Sequence, residues 1–418
     1  MCEWKLTTIG NLCDTISCTY RGRHDKVVLV NTSDVLEGKV LSHEFVDNKN
    51  LKGQFKKTFQ KDDILYSEIR PANKRFAYID FEETDQYIAS TKLMVLRPKQ
   101  DRVRPRFLFA ILKSKAVIDE LQLLAETRSG TFPQITFSAE LAPMKVMLPP
   151  IDVQDKIVSI LDSIEEKIEN NRSINNNLEQ QAYARFKSWF VDFECFDEPY
   201  IEDAMGFVHP QSLSMLMIGD IPHTLETGKR PKGGAVSEGI PSIGAESVKK
   251  LGSFESASTK YIPVEFAASM KKGKVNGYEV MIYKDGGKPG TFIPHFSMFG
   301  EGYPYEHFFI NEHVFKLDFA NKGFNIFAYF YLQEKYAYTW LANNGGKAAI
   351  PGINQQDVNS IWIYSPDHPK VKEFNNWVVP FFTQILLNCK QNLLLAKTRD
   401  TILPRLLSGE IDLSVVDF

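Results

Sequence analysis

The stretch IVSILDSIEEKIENNRSINNNLEQQAYARFKSW, residues 157–189, decides how the chain is read. One row of positions steps alternately by four and three: Ile157, Leu161, Ile164, Ile168, Asn171, Asn175, Leu178, Ala182, Arg185 and Trp189. That period marks a helix with one buried stripe, close to the heptad of a coiled coil. The same stepping recurs at Phe374, Val378, Phe381, Ile385, Asn388, Asn392, Leu395, Arg399, Ile402 and Leu406. Each position of the second series is the first plus 217: 157 + 217 = 374, 171 + 217 = 388 and 189 + 217 = 406. Both rows carry two successive asparagines at the same steps. An amide inside an apolar seam costs stability but fixes register. The two helices are therefore expected to pack antiparallel about a pseudo-two-fold axis, with Asn171 near Asn392 and Asn175 near Asn388. Pro404 is expected to end or kink the second helix near Leu403, and Ser408-Gly409 to close the tail.

Working outward from the helices, weaker repeats appear in the same order. Thr8-Ile9-Gly10-Asn11-Leu12 resembles Met217-Ile218-Gly219-Asp220-Ile221, an offset of 209. Ile64-Leu65-Tyr66 matches Val280-Met281-Ile282 at 216, and Phe132-Pro133-Gln134-Ile135 matches Ile350-Pro351-Gly352-Ile353 at 218. Drift of this size is what insertions in surface loops produce. Residues 27–30, 63–67 and 92–97 read as strands, as do 279–283, 313–317 and 361–364. Residues 107–124 and 326–341 read as helices, equivalently late in each half. Prolines 149, 150, 366 and 369 separate each half from its long helix. The fold class expected is α+β: two mixed α/β domains related by pseudo-two-fold symmetry and joined by two long antiparallel coiled-coil helices. The boundaries expected are 1–150, 151–193, 194–368 and 369–418.

Composition bounds the rest. The chain has 418 residues, too many for one hydrophobic core. Its 43% hydrophobic and 24% charged residues are ordinary for a soluble globular protein. No apolar run approaches the ~20 residues of a membrane span, and the first five residues do not read as a signal peptide. Cys2, Cys13, Cys18, Cys195 and Cys389 are scattered, forming neither a metal-binding pair nor a disulfide framework, so a reducing cytoplasm is the expected home. A net charge of −3 argues mildly against a nucleic-acid binder, so any such reading needs local basic patches.

Three segments carry a resemblance to a known family. The run Ala184-Arg185-Phe186-Lys187-Ser188-Trp189-Phe190-Val191-Asp192-Phe193 resembles the central conserved region of type I restriction-modification specificity subunits. The run Leu403-Pro404-Arg405-Leu406-Leu407-Ser408-Gly409-Glu410-Ile411 resembles their C-terminal one. Leu148-Pro149-Pro150-Ile151, with Gln154 and Ile157 beyond it, fits their approach to the first helix. Ser365-Pro366-Asp367-His368-Pro369 departs from that pattern before the second helix, which blurs where that helix starts. The resemblance implies a non-catalytic, prokaryotic DNA-reading subunit with two target recognition domains. It also implies that the helices dock two methyltransferase subunits, with restriction/translocase subunits joining them. S-adenosylmethionine would then belong to the partner methyltransferase. A helix of ~40 residues spans ~60 Å, enough to carry two readers of a bipartite site in double-stranded DNA.

No motif of that family names base-reading residues, so the candidates rest on chemistry. Phosphates call for Lys and Arg; base edges call for Arg, Lys, Asn or Gln. In the first half these are Arg70, Asn73, Lys74 and Arg75 after a strand, and Arg128 after the late helix. Lys52, Lys56 and Lys57 form a blander patch. In the second half the equivalent places hold Lys284 and Lys288, then Asn343, Asn344 and Lys347, with Lys229, Arg230 and Lys232 near its start. Both halves thus put glycine and basic residues in the same two loops, where backbone approaches a phosphate closely. The run Arg97, Lys99, Arg102, Arg104, Arg106 reads instead as a solvated connector. Replacing Arg70, Lys74 and Arg75 together by Ala is expected to weaken DNA binding and flatten its salt dependence.

Enzyme signals are poor. Asp197-Glu198-Pro199-Tyr200 lacks one proline of the amino-methyltransferase D-P-P-Y motif and follows no glycine-rich turn. Gly286-Gly287-Lys288-Pro289-Gly290-Thr291 lacks phosphate-loop spacing. His307 and His313 lack metal-ligand spacing. A standalone DNA methyltransferase or nuclease and a coiled-coil scaffold remain the alternatives. Methyl transfer by the isolated chain would single out the first. Salt-sensitive, sequence-specific retention of duplex DNA by the partner-bound complex would exclude the scaffold.

Overall fold

A computed structural model describes residues 4–22, 24–49, 53–128, 130–203, 206–346, 351–411 and 413. The chain divides into two compact units: Met1–Glu166 with Ala396–Phe418 (unit 1), and Lys167–Leu395 (unit 2).

The two units are built to one plan. In unit 1 an antiparallel sheet runs in the order Cys13–Ile16, Leu93–Pro98, Ile64–Ser67, Phe76–Tyr78. In unit 2 the corresponding order is Thr224–Thr227, Val314–Asp318, Val280–Tyr283, Phe296–Met298. Each unit adds a second sheet with one parallel pair, Lys26–Val30 with Tyr87–Ser90 in unit 1 and Ile240–Ile243 with Phe309–Ile310 in unit 2. Each also has a short antiparallel pair, Lys5–Thr8 with Lys145–Leu148 and Met215–Met217 with Trp362–Tyr364. All six expected strands are present within a residue of their expected ends.

The expected helices 107–124 and 326–341 are each broken in two. Pro105–Leu112 is followed by Lys115–Arg128, and Lys322–Tyr331 by Lys335–Gly345. Hydrophobic period alone does not reveal a break of two or three residues. It is made by tightened backbone bonds, Ser114 N–H to Ile111 O and Glu334 N–H to Tyr331 O, after which the second helix restarts.

The long helices are Ile151–Phe190, 40 residues, and Pro369–Leu407, 39 residues. Their last residues keep the repeat, 190 + 217 = 407. Pro404 does not end the second helix, and neither does Pro380. Both are exposed, and the carbonyls that lose a donor, on Asp400 and Asn376, belong to exposed residues that water can serve. Buried Leu403 and Leu406 hold the backbone on either side of Pro404. Gly409, at φ 77°, then closes the helix, as expected.

Within unit 2 the seam is polar at its middle. Asn171 Nδ2 donates to Asn392 Oδ1 at 2.8 Å, and Asn388 Nδ2 donates to Asn175 Oδ1 at 2.8 Å. Residue 171 lies opposite 392 and 175 opposite 388, so the helices run antiparallel there. The exchange obeys the repeat: 171 + 217 = 388 and 392 − 217 = 175, so donor maps onto donor and acceptor onto acceptor. Gln384 donates to Asn388 and Asn171 also donates to Gln391, which completes the amide layer. Flanking it, Phe186, Phe190, Phe374 and Phe382 are buried with Phe327 and Phe330 in one aromatic cluster. Arg185 stacks over both Trp189 and Trp377, at 5.1 and 4.2 Å.

Unit 1 grips its helix segments with charge as well as packing. Ile157, Leu161, Leu403 and Leu406 share its core. Buried Gln154 accepts from Arg104 N–H at 2.8 Å and donates to the carbonyls of Pro149 and Arg102. The run 97–106 is a partly exposed connector from strand to helix, as expected, and every basic side chain in it is also ion-paired. Arg97 forms a bidentate pair with buried Asp63, Arg104 pairs with Asp155, and Arg106 with Asp162. Lys99 pairs with Asp14 and Arg102 with Asp101. Sequence reading missed these pairs because the acidic partners, Asp101 excepted, lie far along the chain.

Glu165 receives both Lys113, at 3.4 Å, and Arg399, at 2.8 Å. Burial pushes its carboxyl up, but the two cations outweigh that and hold it below the ordinary carboxylate value of 4.5. A depressed pKa stabilises the fold above the unfolded value and the contribution is lost as pH falls through the folded one. Glu165→Gln is therefore expected to melt below the parent above about pH 5 and to converge on it in acid, read from thermal melts across pH.

Candidate nucleic-acid interface

In each unit, three chain segments that lie far apart in sequence meet along one line of backbone hydrogen bonds. In unit 1 the hub is the turn 90–92. Thr91 N–H donates to Gln54 O at 2.7 Å, and Glu68 N–H donates to Lys92 O at 3.0 Å. Through Glu68 the hub holds loop 68–75, which is clasped to segment 132–135: Arg70 N–H donates to Pro133 O at 3.1 Å and Ile135 N–H to Glu68 O at 2.9 Å. On the other side, Tyr20 N–H donates to Lys56 O at 2.7 Å and Thr58 N–H to Cys18 O at 2.9 Å, which lays loop 17–25 beside Phe55–Lys57.

Unit 2 repeats the construction. Its hub is the turn 311–313, where Gly228 N–H donates to Asn311 O at 3.1 Å and Lys284 N–H to His313 O at 3.0 Å. The clasp is Gly286 N–H to Pro351 O at 2.9 Å and Ile353 N–H to Lys284 O at 2.8 Å. The equivalence is residue by residue: 68 + 216 = 284, 70 + 216 = 286, 133 + 218 = 351 and 135 + 218 = 353. Each clasp thus joins two segments that the sequence singled out separately. In unit 2, Gly352 N–H also donates to Gly345 O at 2.8 Å, tying in the end of the helix that carries Asn343 and Asn344.

Glycine is required at one clasp position. Gly286 has φ 131°, and a Cβ there would lie 2.0 Å from Tyr283 Oη. The equivalent Arg70 adopts φ 46°, a left-handed conformation that an L residue holds only under constraint, here its bond to Pro133.

The sequence candidates divide by what their side chains touch. Arg70, Asn73, Lys229, Lys232, Lys288 and Asn343 are exposed, with no side-chain partner among the described residues. Lys74 pairs with Glu37 at 2.9 Å, and Arg128 with Glu140 at 3.2 Å. Arg230 lies 4.0 Å from Glu312, so Glu312 brings loop 229–232 to the hub. Lys284 donates to Glu312 O, pairs with Asp285 at 3.2 Å and sits over the Phe315 ring. His313 lies between Asp285, at 2.5 Å, and Glu312, at 3.4 Å. Asn344 donates to Trp340 O. Arg75 donates to the carbonyls of Ser33 and Val35, so it braces the neighbouring hairpin. Lys57 turns inward to the carbonyls of Thr91 and Leu93, and burial holds its ammonium below the usual lysine range. Lys52 and Lys347 lie outside the described residues.

Sequence reasoning missed the hub residues Lys92 and Glu312, and it missed Arg21. A signal for Arg21 was present. The loop after Thr224–Thr227 was singled out for its basic residues Lys229, Arg230 and Lys232, while the loop after the corresponding strand Cys13–Ile16, which holds Arg21, was not.

Of the alternative chemistries, one Ser–His–Glu contact exists, and its bonds run the wrong way. Lys370 N–H donates to His368 Nδ1, so the neutral ring carries its proton on Nε2 and donates to Ser212 Oγ, 3.2 Å away. Burial holds His368 below its usual value, and Ser212 gives its own proton to Glu198. That ring cannot take a proton from the serine. Among the described residues no cluster of His, Cys, Asp and Glu is arranged to hold a metal ion, and no helix is long and apolar enough to cross a membrane.

Residues 1–180 match the family model of the type I restriction modification DNA specificity domain. Over an alignment of 473 positions the chain is 30% identical to the HindI specificity subunit of a type I restriction enzyme from Haemophilus influenzae, covering 98% of this chain and 100% of that protein. It is 26% identical to the MjaIX specificity subunit from Methanocaldococcus jannaschii, covering 75% and 70%. A crystal structure of a type I restriction-modification S subunit from M. genitalium shares the fold, with TM-score 0.53 at 16% identity over 97% of this chain and 96% of that one.

The division of side chains generates a paired test. Arg75→Ala is expected to destabilise unit 1 by about 0.5–1.5 kcal/mol in chemical denaturation, since it removes the two hydrogen bonds that brace the hairpin. Arg70→Ala is expected to leave stability within about 0.5 kcal/mol of the parent.

Proposed function

This chain belongs to the type I restriction enzyme specificity subunits, and we propose that it reads a bipartite DNA sequence, one part with each unit, without itself carrying out the chemistry. As a specificity subunit it supplies sequence recognition to a restriction-modification complex. The observation that carries the bipartite reading is the doubled edge. Two units share a backbone scheme of hub and clasp down to equivalent hydrogen bonds, yet present different side chains on it: Arg70 and Asn73 in one, Lys288, Lys229 and Asn343 in the other. A shared scaffold with unlike exposed donors suits two unlike half-sites.

The target recognition domains are assigned to 1–150 and 194–368. The spacer segments are assigned to 151–193 and 369–418, with Asn171, Asn175, Asn388 and Asn392 setting their register. The paired helices would dock two methyltransferase subunits, which would hold S-adenosylmethionine, and restriction/translocase subunits would complete the assembly. The unpaired cysteines among the described residues, Cys13, Cys18, Cys195 and Cys389, fit a reducing cytoplasm.

Genome-wide mapping of modified bases in the host, with and without this chain, tests the reading. The expected result is an adenine-methylated motif of two short specified parts around an unspecified spacer, lost when the chain is deleted. A continuous motif, or a bipartite one that survives the deletion, would refute it.

A further inference from the structure

Unit 1 carries a second exposed basic loop at the same edge. Loop 17–25 is pinned at both ends. Cys18 O and the Tyr20 N–H bond to Thr58 and Lys56, while His24 pairs with Asp85 at 3.1 Å and Asn48 Nδ2 donates to His24 O. Between the pins, Arg21 is exposed and has no partner among the described residues. Lys56, whose carbonyl receives the Tyr20 N–H, is exposed beside it. Arg23 lies outside the described residues.

Tyr20 is the second observation. Its Oη is the one buried side-chain oxygen or nitrogen among the described residues that lacks a hydrogen-bond partner. The ring folds back over Gly22, where a Cβ would lie 2.5 Å from Oη. Buried hydroxyls are ordinarily bonded, and an orphaned one is a group with an unmet acceptor. An exposed, unpaired guanidinium one residue away shows which acceptor would be drawn there: an anionic oxygen.

We propose that the loop Tyr20-Arg21-Gly22 is a further grip on the DNA backbone. A phosphate pairs with Arg21, and the Tyr20 hydroxyl swings off Gly22 to donate to the same phosphate. Glycine at position 22 permits both the folded-back ring and its release. The inference rests on the DNA-reading function argued above and adds a contact that the clasp does not supply. Because the ligand atoms are phosphate oxygens, the grip is independent of sequence and adds to affinity rather than to base choice.

The test uses the full-length chain and a mixed-sequence duplex of about 40 base pairs, with affinity followed against salt. Arg21→Ala is expected to weaken binding about fivefold at low salt and to lower the slope of log affinity against log salt by about 0.9. Tyr20→Phe is expected to weaken binding about threefold or more, with the slope kept and the melting temperature unchanged or raised, because the free fold loses only an unsatisfied hydroxyl. A Tyr20→Phe variant that melts lower would make the hydroxyl structural and overturn the proposal. A double Arg70→Ala, Lys288→Ala variant separates the two readings. If that variant loses affinity while both loop variants bind like the parent, the grip is refuted and the DNA-reading function stands. If the parent does not retain duplex DNA, both fall.

Discussion

An amide buried in an apolar helix seam is satisfied in one register. The two helices of this chain meet through two such pairs, Asn171 with Asn392 and Asn175 with Asn388. A slip of one residue would leave those amides facing hydrocarbon, at roughly 1–3 kcal/mol for each unsatisfied group. Asn171 and Asn388, one from each pair, are the buried members, so a slip would leave two fully buried amides unserved. Leucine at these positions would pack better and tolerate more arrangements. The rest of the architecture depends on that register. Glu165 can meet Arg399 in unit 1, and Arg185 can stack between Trp189 and Trp377 in unit 2, only when the helices stand at one offset.

The hub and clasp follow a different rule. Their geometry is set by main-chain N–H and C=O groups, of which proline lacks only the N–H; the clasp acceptors are themselves prolines, Pro133 and Pro351. Side chains on that frame are therefore free to differ, and they do: equivalent backbone bonds carry Arg70 in one unit and Gly286 in the other. A frame held by backbone lets the exposed side chains change without unfolding the unit that displays them.

How much of this was legible depended on the distance over which each feature is encoded. The helix seam was readable to the residue because period and repeat both lie in local sequence. Strands such as Ile64–Ser67 and Val314–Asp318 were readable because short runs of aliphatic and aromatic residues betray them. The break between Leu112 and Lys115 was not, since backbone bonding makes it. The ion pairs of Arg97, Arg104 and Arg106 were not either, since Asp63, Asp155 and Asp162 become neighbours only after folding. The two basic loops in each half were visible as composition, but their meeting in one clasp is a fact of topology. Arg75 shows the limit from the other side: by residue type it is a DNA ligand, and by contact it is a brace.

Unit 1 is completed by both ends of the sequence described. Leu403, Leu406 and Leu413 enter its core, Gly409 packs on Trp4, and Lys156 donates to Leu413 O. Unit 2, by contrast, is one continuous stretch, Lys167–Leu395. During synthesis the usual order of domain completion is thereby reversed. The unit translated first must wait, its apolar groove open, until 230 further residues have emerged (396 − 166 = 230). A chain that stopped just after Leu395 would finish unit 2 and leave unit 1 unsealed, so only one of the two units would be in working order.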